Sequence, residues 1–363
     1  MKNLIKTVSV ILACVSALSA KPLDLMLGAR PLGMGGAFVA VADDINAAYW
    51  NAAGLSQLTA LSFGASHWLN QEISGIQVGN LALAIPIEKV GVAAVSWQMI
   101  YSGLESGDPD DPVAYNEDYW LEQTFTLSLS RRLWDHFLIF DSTSAGLSLN
   151  RHTCATHDYD GAGLGFDLSL FTLLPYKIRF GFVARSLATD MMGVKVPPEY
   201  RFGLAYALRI NPMHRITFAS DLLVKNQVEY FDAALNPVDI NAKAFGGLEY
   251  SLFLKDYRFD LRGGAYKILR TEGKNIAITA GFGARFQRYA VDYGFKYDMD
   301  PDNALGMAHR ISFAMGLGAP KIDASGKPKE TVAPVLQKSI SSVPQTGADK
   351  AKNPEKKGKP GVK

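Results

Sequence analysis

The residues best suited to chemistry lie between positions 152 and 160, where two histidines, one cysteine and two aspartates occur close together. They are His152, Cys154, His157, Asp158 and Asp160. Imidazole nitrogen, thiolate sulfur and carboxylate oxygen are ligands of zinc and other transition metals. A metal site also requires a fixed geometry, which a short polar stretch does not supply by itself. We therefore expect a polar external loop here, without a metal ion or other cofactor.

Two acidic stretches resemble binding loops without completing them. The stretch that contains Asp298, Asp300, Asp302 and Asn303 resembles the start of a calcium loop, but its glycine and its closing glutamate are missing. Residues 108–111 are acidic, and we expect them at a solvated loop tip. The sequence has neither a Gly-x-Ser-x-Gly elbow nor a His-Glu-x-x-His motif. We predict no catalytic residues and no enzyme activity.

The alternation of side chains predicts the elements that position these residues. In Tyr289–Lys296, large apolar side chains occupy the odd positions, and charged or very small side chains occupy the even positions. A period of two is typical of a strand with one apolar face and one polar face. The pattern recurs and predicts fourteen strands, most of them of the length that a tilted transmembrane strand needs. They lie near residues 60–69, 73–85, 89–102, 120–131, 142–152, 161–172, 176–187, 199–209, 214–224, 242–253, 257–267, 275–285, 288–297 and 308–317.

The predicted connections alternate between short and long. The short ones lie at 87–90, 174–175, 211–213, 255–256 and 286–287, with 132–141 as the least tight. The long ones lie at 103–119, 153–160, 188–198, 225–241, 268–274 and 298–307. Short turns on one side and long loops on the other are typical of outer-membrane barrels. This pattern predicts that both termini lie in the periplasm.

The two ends of the chain differ in composition from the middle. Residues 1–20 resemble a signal peptide, with Lys2 and Lys6 before an apolar stretch and small residues at the cleavage site. Alternatively, a lipobox at 11–14 would make Cys14 a lipidated N-terminus. Residues 319–363 contain ten lysines and six prolines, which predicts a disordered periplasmic tail. The formal net charge of +2 gives no reason to expect nucleic-acid binding.

A soluble β-sandwich would also show alternation, because one face of each of its sheets packs inward. Two features favour a membrane barrel. The polar faces are rich in Gly, Ala, Ser and Thr rather than Lys and Glu, and aromatic residues lie at strand ends, as in membrane girdles. Closure would also remove the edges of the sheet. We predict an all-β fold, a 14-stranded antiparallel transmembrane β-barrel over residues 59–318.

Residues 21–58 precede the first strand and are rich in Gly, Ala and Asp. A tight, closely packed turn is expected at three glycines, Gly33, Gly35 and Gly36. Asp43 or Asp44 can cap a short helix that runs to about Ala53, and Gly54 can end it. Because a barrel of this size is wide enough to need filling, we predict that this segment is a compact plug.

Three stretches of this segment, Gly33–Phe38, Ala42–Asp44 and Tyr49–Leu55, resemble the N-terminal hatch of the FadL family. The resemblance implies a hatch inside a 14-stranded barrel in a Gram-negative or spirochaetal outer membrane, inserted by the barrel assembly machinery. It covers the hatch closely and the barrel by architecture. The residues to which it assigns the hatch are Arg30, Gly33, Gly35, Gly36, Phe38, Asp43, Asp44, Asn51 and Gly54. Asn51 and Ala53 match the Asn-Pro-Ala turn of the family, but Ala52 replaces its proline.

The resemblance implies passive uptake of long-chain fatty acids or other hydrophobic or amphipathic molecules. An alternative is a PorV-like outer-membrane scaffold that holds a secreted protein partner. Six basic residues on the polar faces could bind a carboxylate head group in the lumen: Arg179, Arg201, Arg258, Arg262, Arg285 and Lys296. Alternatively, they form structural charge pairs that contact the plug. The lipid of the outer membrane would surround the barrel.

Overall fold

The computed structural model of the protein describes residues 26–69, 76–106, 116–137, 139–157, 160–191, 194–225, 228–231, 237–239, 242–269, 276–299 and 307–317. The predicted signal peptide, the predicted C-terminal tail and much of the predicted long loops lie outside the described residues. Within the described residues, every helix is too short or too polar to cross a bilayer.

Fourteen long strands form the wall of the fold. They are β1 Leu61–Leu69, β2 Ile76–Ile87, β3 Gly91–Ser106, β4 Asn116–Phe137, β5 Phe140–Thr156, β6 Asp160–Leu173, β7 Ile178–Met191, β8 Glu199–Asn211, β9 His214–Lys225, β10 Ala242–Leu254, β11 Tyr257–Leu269, β12 Ile276–Phe286, β13 Tyr289–Asp298 and β14 Met307–Leu317. Short strands also occur in the connections, at Val194–Lys195, Val228–Phe231 and Pro237–Asp239. All fourteen predicted strands are present, so the period of two located each of them.

The wall is a closed sheet. Each strand pairs antiparallel with the next strand along the chain, and β1 pairs with β14. At this closing pair Leu61 lies opposite Leu317, and Leu69 lies opposite His309. Every strand of the wall therefore has a partner on both sides, which satisfies its backbone hydrogen-bonding groups without water. The predicted 14-stranded antiparallel barrel is confirmed.

Strand β4 is longer than its side-chain pattern predicted. The alternation was clear only over 120–131, whereas pairing with β5 continues to Phe137. The register shifts between Arg132 and Trp134. Such a shift interrupts the alternation, so the sequence pattern ended before the strand did. Most of the connection expected at 132–141 is therefore strand, since Phe137 pairs with Phe140.

The two faces of the wall differ as the alternation predicted. On β4, Phe125 and Leu127 are 51% and 56% exposed, whereas Ser128 and Ser130 are 2% and 0% exposed. Apolar side chains thus point outward, and small polar side chains point into the barrel. An apolar outer surface of a closed sheet is the surface that a lipid bilayer would cover.

Residues 26–58, called the N-terminal segment below, lie inside the barrel and carry most of the larger of two buried apolar clusters. The segment contains helix α1 (Ala29–Gly33), helix α2 (Ala47–Trp50) and a 3-10 helix (Ala52–Gln57). Inward-facing glycines of the wall allow the close approach of its backbone. A Cβ atom added to Gly264 would lie 2.4 Å from the backbone nitrogen of Gly35, which has a φ of +65°.

The single helix expected from Asp43 or Asp44 to Ala53 is instead a short α-helix followed by a 3-10 helix. Asp44 does accept a hydrogen bond from the backbone N–H of Asn46 (2.9 Å), but it also pairs with Arg30. Asn51 has an extended backbone, which ends α2, and its Oδ1 accepts a hydrogen bond from Ala53 N–H (3.1 Å). The observed boundary therefore depends on Asn51 and not on Gly54.

Candidate functional site in the barrel lumen

Arg30 of helix α1 lies inside the barrel and is 1% exposed. Its Nε and Nη2 donate to the two carboxylate oxygens of Glu249 on β10, at 2.7 and 3.0 Å. Its Nη1 donates to Asp43 and Asp44, at 2.5 and 2.6 Å. A guanidinium held by three carboxylates joins two parts of the N-terminal segment to the wall.

Charge determines the protonation of this cluster. Burial lowers the pKa of Arg30, but the surrounding carboxylates outweigh burial, so its pKa lies well above the usual value. Burial raises the pKa of Asp43, but Arg30 and Arg179 outweigh it and hold that pKa well below the usual value. Both groups are therefore charged at neutral pH, and the pairing is ionic.

The ion pairs continue along the wall. Arg262 contacts Glu249 at 2.8 Å and Asp292 at 2.8 Å, and Arg258 contacts Glu249 at 3.0 Å and Asp260 at 2.7 Å. Two further pairs join the network to the N-terminal segment: Arg285 with Asp44 at 3.5 Å and Arg179 with Asp43 at 3.6 Å. Four of the six predicted basic residues therefore belong to one ionic network, and each already has a carboxylate partner.

Arg201 forms a second connection to the segment and is fully buried. It lies against the rings of Trp50 and Phe245, 4.7 and 4.1 Å from their centroids. It pairs with Asp221 at 3.1 Å and donates to Gly36 O at 2.5 Å. These contacts fix the turn between α1 and α2 against β8 and β9.

Asp221 also accepts hydrogen bonds from the backbone N–H groups of Phe38 (3.0 Å) and Val39 (3.1 Å). The side chain of Phe38 is fully buried and meets the ring of Trp50 edge-on, with the centroids 6.0 Å apart. A buried carboxylate that accepts from two backbone groups satisfies donors that no regular element satisfies. Lys296, the sixth predicted basic residue, contacts Asp298 at 3.8 Å.

The remaining predicted hatch residues take part in packing. Gly33 lies against Gly281, and Gly36 has a φ of +81° beside Phe245. A Cβ atom on Gly54 would lie 2.3 Å from Ala42 O, so that position accommodates only glycine. Asn51 Nδ2 donates to Val39 O at 2.9 Å, which links the two halves of the segment.

The segment makes further contacts with the wall, through residues that no sequence pattern predicted. Ala53 N–H donates to Ser169 Oγ on β6 at 2.9 Å, and Ser130 on β4 donates to Ala53 O at 3.0 Å. Arg185 on β7 donates to Tyr49 O at 2.7 Å. Ser312 on β14 accepts from Ala29 N–H at 2.7 Å. The segment is thus tied to the wall from β4 round to β14. Small polar residues are frequent on the inner face, so nothing in the sequence marked these particular serines.

The metal-like cluster does not assemble. His152 lies on β5, at the end of the strand predicted at 142–152. Cys154 lies on the same strand and not in the connection predicted at 153–160, because pairing with β4 continues to Thr156. His152 Nδ1 shares a hydrogen bond with Thr124 (2.8 Å). Within the described residues no three His, Cys, Asp or Glu side chains are placed to hold a metal ion. Asp158 and residues 300–303 of the calcium-like stretch lie outside the described residues.

An apolar band crosses the inner wall from β14 through β1 and β2 to β3. It consists of Trp68, Val78, Ile100 and Ala308, with Ile76 beside them. Leu27 and Tyr49 of the N-terminal segment pack on it. Alternation alone does not predict this apolar band, because it shows which residues share a face of one strand, but not which residues meet across strands.

Two small cavities lie where the segment contacts this side of the wall. One has a volume of about 30 Å³ and lies among Asn46, Asn80, Asp292 and Ser312. The other has a volume of about 10 Å³ and lies beside Tyr49 and Gln98. Ile45, Asn46, Asn80 and Ala82 line both. Packing between the segment and β1–β3 is therefore less complete than a close-packed core.

Solved structures share this architecture. The CymD monoaromatic hydrocarbon channel matches with a TM-score of 0.52 and 12% identity, over 80% of this chain and 97% of that chain. The chain has the FadL-like barrel fold. The Ralstonia pickettii toluene transporter TbuX matches with a TM-score of 0.50 and 11% identity, over 82% of this chain and 100% of that chain. The Pseudomonas putida toluene transporter TodX matches with a TM-score of 0.51 and 10% identity, over 79% of this chain and 96% of that chain.

Neither a protein-family model nor a curated protein sequence matches the chain. The resemblance predicted from the N-terminal segment is confirmed at the level of the fold. The alternative of a PorV-like scaffold depends on the long loops, whose tips lie largely outside the described residues, and it stays a prediction.

Proposed function

We propose that this FadL-like barrel is an outer-membrane channel for the passive uptake of hydrophobic small molecules. The apolar band on the inner wall carries this proposal, because the inner faces of the other strands hold mainly small, polar and charged residues. An apolar solute gains roughly 25 cal/mol for each Å² of apolar surface that leaves water. The fold shared with three monoaromatic hydrocarbon transporters supports the proposal. No bond is made or broken in this function.

We propose that the N-terminal segment acts as the hatch of this channel. Arg30, Asp221 and Arg185 hold it to the wall on the β7–β10 side. The two cavities lie elsewhere round the wall: one is lined by β12–β14, β1 and β2, and the other by β2 and β3. The apolar band lies under the hatch on this side, so movement of the hatch there would expose the band to a solute and let the solute pass.

Long-chain fatty acids belong to this substrate class. A fatty-acid carboxylate that binds the predicted basic residues must compete with carboxylates that are already in place. Arg258 already pairs with Glu249, and Arg262 with Asp260. Arg201 already pairs with Asp221. The apolar part of the substrate would therefore provide most of the binding free energy.

A disulfide between the hatch and β1 tests this function. A Cβ atom on Gly64 would lie 3.4 Å from the Cβ of Ile45, close to the roughly 3.5–4.5 Å of a disulfide. We expect Ile45→Cys with Gly64→Cys, in a Cys154→Ser background, to lower uptake of labelled toluene and oleate at least about tenfold when oxidised. The reason is that the disulfide prevents the hatch from leaving this side of the wall. Intact cells that express the full chain are the assay, and dithiothreitol should restore the rate.

Each single-cysteine variant is the matched control and should respond to neither oxidation nor reduction. If the reduced protein gives no more uptake than cells without it, the proposed transport function is wrong. If the oxidised and reduced double variants transport equally well, transport stands, but the proposed movement of the hatch at β1 does not.

A further inference from the structure

A carboxyl group, that of Glu122 on β4, lies next to the β3 end of the apolar band. Across the wall, Val78 lies opposite Ile100, and Ile100 lies opposite Glu122 on β4. Glu122 shares the inward face of β4 with Thr124 and Ser128, which are 3% and 2% exposed. Neighbouring strands lie about 4.8 Å apart, so Glu122 lies roughly 14 Å along the wall from Trp68 on the third strand away.

Glu122 differs from three other inward-facing carboxylates of the wall. Glu249, Asp221 and Asp292 each pair with an arginine. Glu122 accepts one hydrogen bond, from Trp120 Nε1 to Oε1 at 3.2 Å. Within the part of the chain that the structure describes, no Lys, Arg or His side chain forms an ion pair with it. Within the described residues the protein therefore uses only part of its acceptor capacity.

An acceptor at the end of an apolar surface selects one class of ligand. A hydroxyl or amino group on an apolar molecule can donate to the carboxyl of Glu122 while its hydrocarbon part lies on Ile100. A ligand carboxylate in the same position has no proton to donate at neutral pH and is repelled whenever Glu122 is ionised.

We propose that this luminal site binds hydrophobic molecules that carry a hydrogen-bond donor, such as alkylphenols, with the donor on Glu122 and the hydrocarbon on Ile100. This inference rests on the proposed uptake function and narrows its substrate class. Glu122 is a specificity-determining residue in this proposal. The site prefers a phenol to the hydrocarbon of the same shape, and prefers both to the matching carboxylate.

Three ligands with one skeleton test the proposal: toluene, p-cresol and p-toluate. We expect the full-length protein in lipid nanodiscs to bind p-cresol about tenfold more tightly than toluene at pH 7, about the gain of one well-formed hydrogen bond. Binding of p-toluate should be the weakest of the three. Flow dialysis measures all three, with protein-free nanodiscs subtracted.

The Glu122→Leu variant should bind p-cresol no more tightly than toluene and should retain toluene binding. Gln123→Leu, on the opposite face of the same strand, is the matched control and should keep the preference. Unchanged p-cresol preference in Glu122→Leu overturns the inference, and so does tighter binding of p-toluate than of p-cresol. If the wild-type protein binds none of the three ligands and transports none, the proposed function itself is wrong.

Discussion

At the scale of single residues, Arg30 links distant parts of the chain. It contacts Glu249 on β10 and also holds Asp43 and Asp44 within its own segment. Three carboxylates that share one guanidinium leave little freedom for any of the four side chains. Breaking an isolated buried ion pair costs about 3–5 kcal/mol, and removing Arg30 should cost less than that because Glu249 keeps Arg258 and Arg262.

We therefore expect Arg30→Met to release the N-terminal segment from the wall while leaving the barrel folded. Amide hydrogen exchange of Phe38 and Val39, whose N–H groups donate to Asp221, should become at least about a hundredfold faster. The strand amides should keep their protection. Arg132→Met, at a half-exposed position on β4, is the control and should leave all rates unchanged. Unchanged exchange of Phe38 in Arg30→Met would show that Arg30 does not hold the segment.

At the scale of elements, the segment can lie against the wall because glycines face inward where its backbone approaches. Gly264 on β11 lies against the backbone nitrogen of Gly35, and Gly247 on β10 lies against Met34 O. A side chain at either position would meet backbone atoms, which cannot rotate away. Neighbouring glycines on these strands, Gly246 and Gly263, have no heavy atom within 4 Å of an added Cβ.

The neighbouring glycines Gly263 and Gly264 should therefore differ in how well they tolerate a substitution by alanine. We expect Gly264→Ala to push the N-terminal segment away from β11, since the new Cβ would lie 2.4 Å from the Gly35 nitrogen. Gly263→Ala, one residue earlier, should be tolerated. Hydrogen exchange of the amides of residues 33–39, measured in both variants, is the test. Equal protection in the two variants would contradict the proposed close contact.

At the scale of the whole molecule, the closed sheet has an apolar outside and a polar, filled inside. Leu127 is 56% exposed on the outer face of β4, and its inward neighbour Ser128 is 2% exposed. Closure puts every outward residue on one continuous surface. If that surface faces lipid, a charged side chain near its middle must lower the stability of the folded barrel.

We expect Leu127→Arg to lower the free energy of unfolding in a phospholipid bilayer by about 2–4 kcal/mol, the cost of a basic side chain near the midplane of a barrel. Leu127→Ala should cost less, because it places no charge in hydrocarbon. Denaturant unfolding of the vesicle-inserted protein, followed by tryptophan fluorescence, measures both. An arginine variant as stable as the alanine variant would argue against a lipid-facing β4.

The sequence by itself determined the strands and the barrel. Alternation with a period of two is a local property, and it located all fourteen strands from Leu61 to Leu317. It failed at Arg132 and Trp134, where the register shifts. The N-terminal segment was recognisable as a plug because its glycines and aspartates are close together in the chain.

Only the tertiary structure decided which charges meet and where the apolar band lies. Arg30 and Glu249 are separated by 219 positions, and Trp68, Ile100 and Glu122 lie on three different strands. Such contacts depend on the register between strands and on the position of the segment inside the closed sheet. No local pattern encodes either, because a face of one strand is defined by its own residues, whereas a site in the lumen is defined by its neighbours.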